Sequence, residues 1–152
     1  MILDINKHEL SLRYIQMNKK DFAEVVALIV KDDPRFDRAA YFFVRAALDH
    51  TLLEIKKQGN PRQSNHVSGQ ELLEGIRKHA LEQYGPMTFT LFESWGVRRC
   101  NDFGDIVFNL IEYGVFGKNE KDKPDDFSDA YDFREAFLQP FLPAKQKADT
   151  RA

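Results

Sequence analysis

The stretch "DFGDIVFNLIEY" (Asp102 to Tyr113) constrains the fold more than any other part of the chain. Drawn as a helix, it carries Phe103, Ile106, Val107, Phe108, Leu110 and Ile111 around most of its circumference. Asp105, Asn109 and Glu112, at i, i+4 and i+7, leave one narrow polar stripe. A helix apolar on most sides has to be enclosed by other elements. The remaining chain must therefore supply a jacket, and 152 residues with 43% hydrophobic side chains are enough for one real core. One globular domain is expected over residues 1–141, with a flexible tail over 142–152.

The jacket is written in a repeated local grammar. Asp21-Phe22-Ala23-Glu24, Ser68-Gly69-Gln70-Glu71, Asp102-Phe103-Gly104-Asp105 and Asp132-Phe133-Arg134-Glu135 each set a capping side chain three positions before an acid. The first side chain accepts a bond from an orphan N–H, and the acid reaches back or favours the positive helix end. Breakers punctuate the other ends at Asp33-Pro34, Gly85-Pro86 and Gly96. Helices are thus predicted over about 21–32, 35–57, 69–84, 87–95 and 102–113, with a last short piece over 133–138. After "GVF", the polar turn "GKNEKDKP" leads into "DDFSDAYDF", which reads as an extended return strand. The expected fold class is mainly α: five to six helices with a small C-terminal β-hairpin, residues 118–137 forming an arm packed on the domain. That element order is similar to a winged helix-turn-helix.

Several chemistries are excluded by what their motifs require. Asp102-Phe103-Gly104 spells the metal-holding tripeptide of a protein kinase, but the glycine-rich loop, strand lysine and His-Arg-Asp loop are missing. Asp102 therefore reads as a helix cap. His8, His50, His66 and His79 stand far apart, with no i, i+4 pair, so no metal is expected. Asp122, Asp125, Asp126 and Asp129 lack the glycine and terminal glutamate of a calcium loop. No phosphate loop or dinucleotide fingerprint occurs, and no cofactor is expected. Cys100 is the only cysteine, which rules out an internal disulfide and fits a reducing compartment; it reads as a small apolar side chain. No apolar run suits a membrane span and the opening residues carry no export pattern, so a cytoplasmic location is expected.

Two surfaces stand out as candidate binding sites. Arg35, Arg38 and Arg45 surround Tyr41 and Phe42, and an arginine–aromatic helix face suits RNA or a phosphorylated partner. The alternative is arginine stems covering an amphipathic helix. The second is the arm, where Phe127, Tyr131, Phe133 and Phe137 alternate with acids, as a docking strap for a basic partner or as a strap folded onto its own core. In a winged-helix reading the helix from Asp102 would face DNA with an acidic stripe, relieved only by Arg98 and Arg99. Residues 86–137 hold 6 Lys and Arg against 11 Asp and Glu, which opposes sequence-specific DNA binding.

The blocks "DPRFDRAAYFFVRAALDHT", "HVSGQELLEGIRKHALEQYGPMTFTLFESWGVRRCNDFGDIVFNLIEYGVF" and "KPDDFSDAYDFREAF" resemble a bacterial family largely restricted to Planctomycetes and Verrucomicrobia. The resemblance runs from Asp33 to Phe137. It implies a cytosolic bacterial protein and supplies no catalytic residues. The expected role is a non-catalytic protein-interaction or adaptor module with a protein partner. The alternative is a nucleic-acid or ribosome-associated binder using the Arg35–Arg45 face. A third is an enzyme whose site is assembled from scattered residues.

Overall fold

The apolar helix is where the sequence puts it, in the middle. A computed structural model describes residues 19–59, 66–117 and 122–143. Five α-helices follow in order: α1 (Lys19–Asp32), α2 (Arg38–Lys57), α3 (Gly69–Tyr84), α4 (Thr88–Ser94) and α5 (Cys100–Glu112). Phe103, Ile106, Val107 and Leu110 of α5 are fully buried. They face α2, α3 and the C-terminal segment, and one contiguous cluster of buried side chains joins all of these elements. No helix among the described residues is long and apolar enough to cross a membrane.

The helix punctuation is borne out at some ends and displaced at others. Ser68 makes a complete capping box: its Oγ accepts from the Glu71 N–H at 3.1 Å, and its own N–H donates to Glu71 Oε1 at 3.1 Å. Asp132 Oδ1 accepts from the N–H groups of Arg134 and Glu135 at 2.9 and 3.1 Å, which is again a cap. Asp102 is not the cap of α5. The helix starts two residues earlier, and the Asp102 carboxylate reaches back to the N–H groups of Arg98 and Arg99 at 2.8 and 3.2 Å. Asp21 likewise lies within the first turn of α1, not ahead of it. At the end of α4, Gly96 takes φ +84°, and the Val97 N–H turns back to the Phe92 carbonyl at 2.9 Å. A left-handed residue at that position closes the helix and frees the chain to enter α5.

The expected hairpin is absent among the described residues. Pro124–Phe127 is one tight 3-10 turn, opened by Pro124 and tied by the Lys123 N–H on Asp126 Oδ2 at 3.1 Å. An irregular stretch follows, with Asp129 at φ +40°. Arg134–Leu138 is a wide π-type turn, and Gln139–Phe141 a further 3-10 turn. The proposed hairpin tip at 118–121 and the tail at 144–152 lie outside the described residues, and so does the start of the chain up to residue 18. The wing of the winged-helix order is therefore not formed by residues 122–133.

The segment buries side chains in place of pairing as a strand. Phe127 and Phe137 are fully buried and Phe133 nearly so. Phe133 and Phe137 meet Phe92 of α4 with ring centroids 5.8 and 5.1 Å apart, while Phe92 meets Phe103 of α5 edge-on at 5.2 Å. Offset and edge contacts of this kind are the favoured geometry for aromatic rings. Gly104 makes the approach possible. A Cβ there would lie 2.8 Å from Phe127 Cβ and 3.0 Å from its Cγ. The Asp-Phe-Gly triplet thus divides into a reach-back carboxylate, a core ring and a bare backbone for the arm. Gly75 plays the same part between α3 and α2, where a Cβ would run into Thr51.

Candidate interaction surface

The arginine–aromatic face of the sequence separates into a tied half and a free half. Arg35, in the elbow between α1 and α2, donates from Nε and Nη2 to the Asp33 carboxylate at 2.9 and 2.7 Å, and from Nη1 to Asp105 Oδ2 at 3.0 Å. Asn109 Nδ2 donates both to Asp33 Oδ2 at 3.1 Å and to Tyr41 Oη at 3.0 Å. Two members of the α5 polar stripe, Asp105 and Asn109, therefore fasten α5 to the elbow. The Arg35 guanidinium, with help from Asn109, holds the Asp33 carboxyl well below the usual carboxylate range against a partial desolvation cost. Asp33 in turn raises Arg35, and burial pushes the Tyr41 phenol up. Nearby, the Tyr113 hydroxyl donates to the Asp32 carboxylate.

The other candidates are placed as follows. Arg45 lies with its guanidinium 4.4 Å from the centroid of the Phe22 ring, a cation–π contact on α1. Arg98 and Arg99 are exposed at the start of α5, where their backbone N–H groups serve Asp102. Phe127 belongs to the core. Tyr131 is half-buried, and its hydroxyl donates to the Leu73 carbonyl at 2.8 Å. Neither arm aromatic is presented as a docking strap, because burial of the rings against α4 and α5 outweighs leaving them in water. Cys100 is buried, its Sγ on the Tyr131 carbonyl at 3.4 Å, and burial pushes the thiol up. Among the described residues, no three His, Cys, Asp or Glu side chains are grouped to hold a metal ion.

The free half is Arg38 with Phe42, one turn apart on the outer side of α2. Arg38 is exposed and its guanidinium makes no hydrogen bond or ion pair with any described residue. Phe42 is 41% exposed, resting one edge on Phe22 at 5.0 Å. Beside them opens a hollow of about 810 Å³ between α2, the last turn of α3 and the end of α4. Phe43, His79, Tyr84 and Trp95 make its floor. Phe43 is the hub: its ring centroid is 5.5 Å from Trp95, 5.9 Å from Tyr84 and 5.7 Å from His79, the last stacked at 29°. A second hollow of about 620 Å³ lies across the Arg38–Trp95 ridge, towards α1.

Sequence reasoning named Arg38 and Phe42 but grouped them with the buried Tyr41 and with Arg35 and Arg45, which are engaged elsewhere. It missed His79, Tyr84 and Trp95 as surface-forming groups. The i, i+4, i+7 spacing puts Arg38, Phe42 and Arg45 on one strip of α2, and no spacing rule shows that Arg45 lies over Phe22 of α1 while Arg38 does not. The floor has no comparable signal, because it is assembled from α2, α3 and the residue that closes α4. Chemically, the arrangement offers apolar ring faces and, at the rim, a planar cation with no partner among the described residues. It offers no nucleophile held by a base. Comparison with protein-family models, curated proteins and solved structures returns no match.

Proposed function

We propose that this chain is a non-catalytic protein-interaction module whose docking face is the Arg38–Phe42–Trp95 hollow. The observation that carries the reading is the exposed Arg38 guanidinium, without a partner among the described residues, standing beside a half-exposed Phe42 over a floor of aromatic rings. Binding energy at protein interfaces concentrates on arginine and large aromatics set in such hollows, and these residue types are enriched there. Arg38 calls for a carboxylate, and the floor for an apolar or aromatic side chain. The partner is accordingly a protein segment that offers an acidic group next to an apolar one. A cytosolic bacterial setting, and kinship with the Planctomycetes and Verrucomicrobia family, belong to the same proposal. The RNA reading is weakened because Arg35 and Arg45, which it needs, are engaged with Asp33, Asp105 and Phe22.

The test is affinity capture from the native host with wild-type, Arg38→Ala and Phe42→Ala chains, each with and without nuclease. The expected result is a protein held by the wild type, lost with either variant and indifferent to nuclease. Loss of a hot-spot side chain costs about 2 kcal/mol, roughly a thirtyfold weakening. Capture that survives both substitutions removes the hollow as the site. Capture abolished by nuclease replaces the protein partner with a nucleic acid.

A further inference from the structure

His50 of α2 and His79 of α3, which no local spacing connects, meet across the helix interface with ring centroids 4.9 Å apart. His79 also stacks on Phe43, the hub of the docking floor. In each imidazole, Nδ1 is buried and has no hydrogen-bond partner. One carboxylate stands close to the pair: Glu82 Oε2 lies 3.6 Å from His50 Nε2. The charged and titratable groups around them are few. Asp37, Arg38 and Tyr84 line the hollow on the His79 side. Glu54 of α2 and Glu71, Glu74 and Lys78 of α3 line a groove of about 330 Å³ on the His50 side. None of these other groups is hydrogen-bonded to either ring.

We propose that His79, packed between His50 and Phe43, makes the α2–α3 seam acid-sensitive, so that the docking floor is held in its described form while this ring is neutral and loosens when it takes up a proton. A charged imidazole is a donor at both nitrogens. At His79, the Nδ1–H of the charged form points at no acceptor among the described residues, and an unmade buried bond is costly. Glu82 stands beside His50 and only partly offsets a charge on His79. Relief comes from moving α3 away from α2, which tilts His79 off Phe43 and reshapes the floor. Burial, and then the neighbouring His50, depress the affinity of His79 for a proton, while Glu82 acts the other way. The folded protein therefore binds fewer protons than the unfolded chain. The associated stability is complete above the ordinary histidine value of about 6.5 and is lost as the pH falls below it.

The link between this seam and partner binding rests on the function proposed above, whereas the seam itself is testable on the purified chain alone. Urea midpoints are measured from about pH 8 to about pH 5 for wild type, His79→Phe and His50→Gln, with ring-proton NMR titration of the wild type. The expected result is a wild-type midpoint that drops on acidification, with the drop at least halved in His79→Phe, and a His79 signal that titrates below the ordinary value. His50→Gln supplies the same comparison if His79→Phe does not fold. Equal acid slopes in the wild type and a folded variant, or a His79 signal with an ordinary midpoint, overturn the proposal. A captured partner should elute from the wild type on acidification and at higher pH from His50→Gln, which lacks the neighbour that holds down the proton affinity of His79. Elution at one and the same pH removes the regulatory link. If no partner is captured, the docking function fails while the stability comparison still decides the seam.

Discussion

Replacing Gly104 with alanine puts a methyl group where Phe127 already sits. In most exposed helices that change is favourable, since alanine is about 1 kcal/mol better than glycine in a helix interior. At Gly104 the new Cβ would stand 2.8 Å from Phe127 Cβ and 3.2 Å from its Cδ2, closer than carbon atoms tolerate. Phe127 is fully buried and has no slack, so the 3-10 turn that carries it must retreat from α5. Overpacking of this kind costs about 1–3 kcal/mol. The expected net effect of Gly104→Ala is a loss of about 1 kcal/mol, the packing cost less the gain in propensity. The decisive comparison is the same substitution in a Phe127→Gly background, which removes the three atoms nearest to the methyl. There the packing cost disappears and Gly104→Ala should stabilise by about 1 kcal/mol, a coupling of about 2 kcal/mol between the two sites. Urea titration followed by far-ultraviolet circular dichroism measures all four proteins. If Gly104→Ala raises the midpoint equally in both backgrounds, the close approach of the arm to α5 is wrong, and so is the role assigned to Gly104.

Three further outcomes follow from local geometry. Ser68→Ala should cost about 0.5–2 kcal/mol in a denaturant titration, and Ser68→Gly only a few tenths, because the lost acceptor is one half of a closed capping box. Arg35→Gln should lower stability at neutral pH and flatten the acid limb. Asp33 is held below its ordinary value by Arg35, so its contribution is present above about pH 3.9 and lost below it, and acid titration of both proteins should show the wild type losing more. The Tyr113 phenol, donating to Asp32, is pushed up to about 12, and Asp32→Asn should bring it back towards about 10 in an ultraviolet absorbance titration.

What the sequence made legible was mostly local. The two ends of α3 could be read to the residue, because Ser68, Glu71 and Gly85-Pro86 act on backbone groups a few positions away. The burial of α5 was also readable, since an apolar circumference admits one explanation. Asp102 was misplaced because an acid three residues into a helix and an acid at its cap produce the same spacing pattern, and they differ only in which N–H they accept. The hairpin was misread for a related reason. Aromatics alternating with acids over 125–133 look like a half-buried strand, yet the buried rings are Phe127, Phe133 and Phe137, six and four residues apart. Pro124 and the Asp126 tie to Lys123 set a tight turn that no alternation rule detects. The docking floor and the histidine pair were invisible for a stronger reason. Phe43, His50, His79, Tyr84 and Trp95 come from α2, α3 and the residue that closes α4, and meet only through the α2–α3 and α3–α4 packing.

Trp95 is the only tryptophan in the chain, and it is 7% exposed, wedged between Phe43 at 5.5 Å and Phe92 at 5.5 Å with Tyr84 edge-on at 6.1 Å. The protein thus carries a built-in optical probe at the boundary between its core and its hollow. Selective excitation of one indole reports one environment, with no averaging over other sites. Unfolding moves that ring into water and shifts its emission to the red. A side chain settling on the rim beside Arg38 would instead shield its remaining edge and move the emission to the blue. The two events change the signal in opposite directions, so a single unlabelled cuvette experiment can tell a protein that is falling apart from one that has found something to hold.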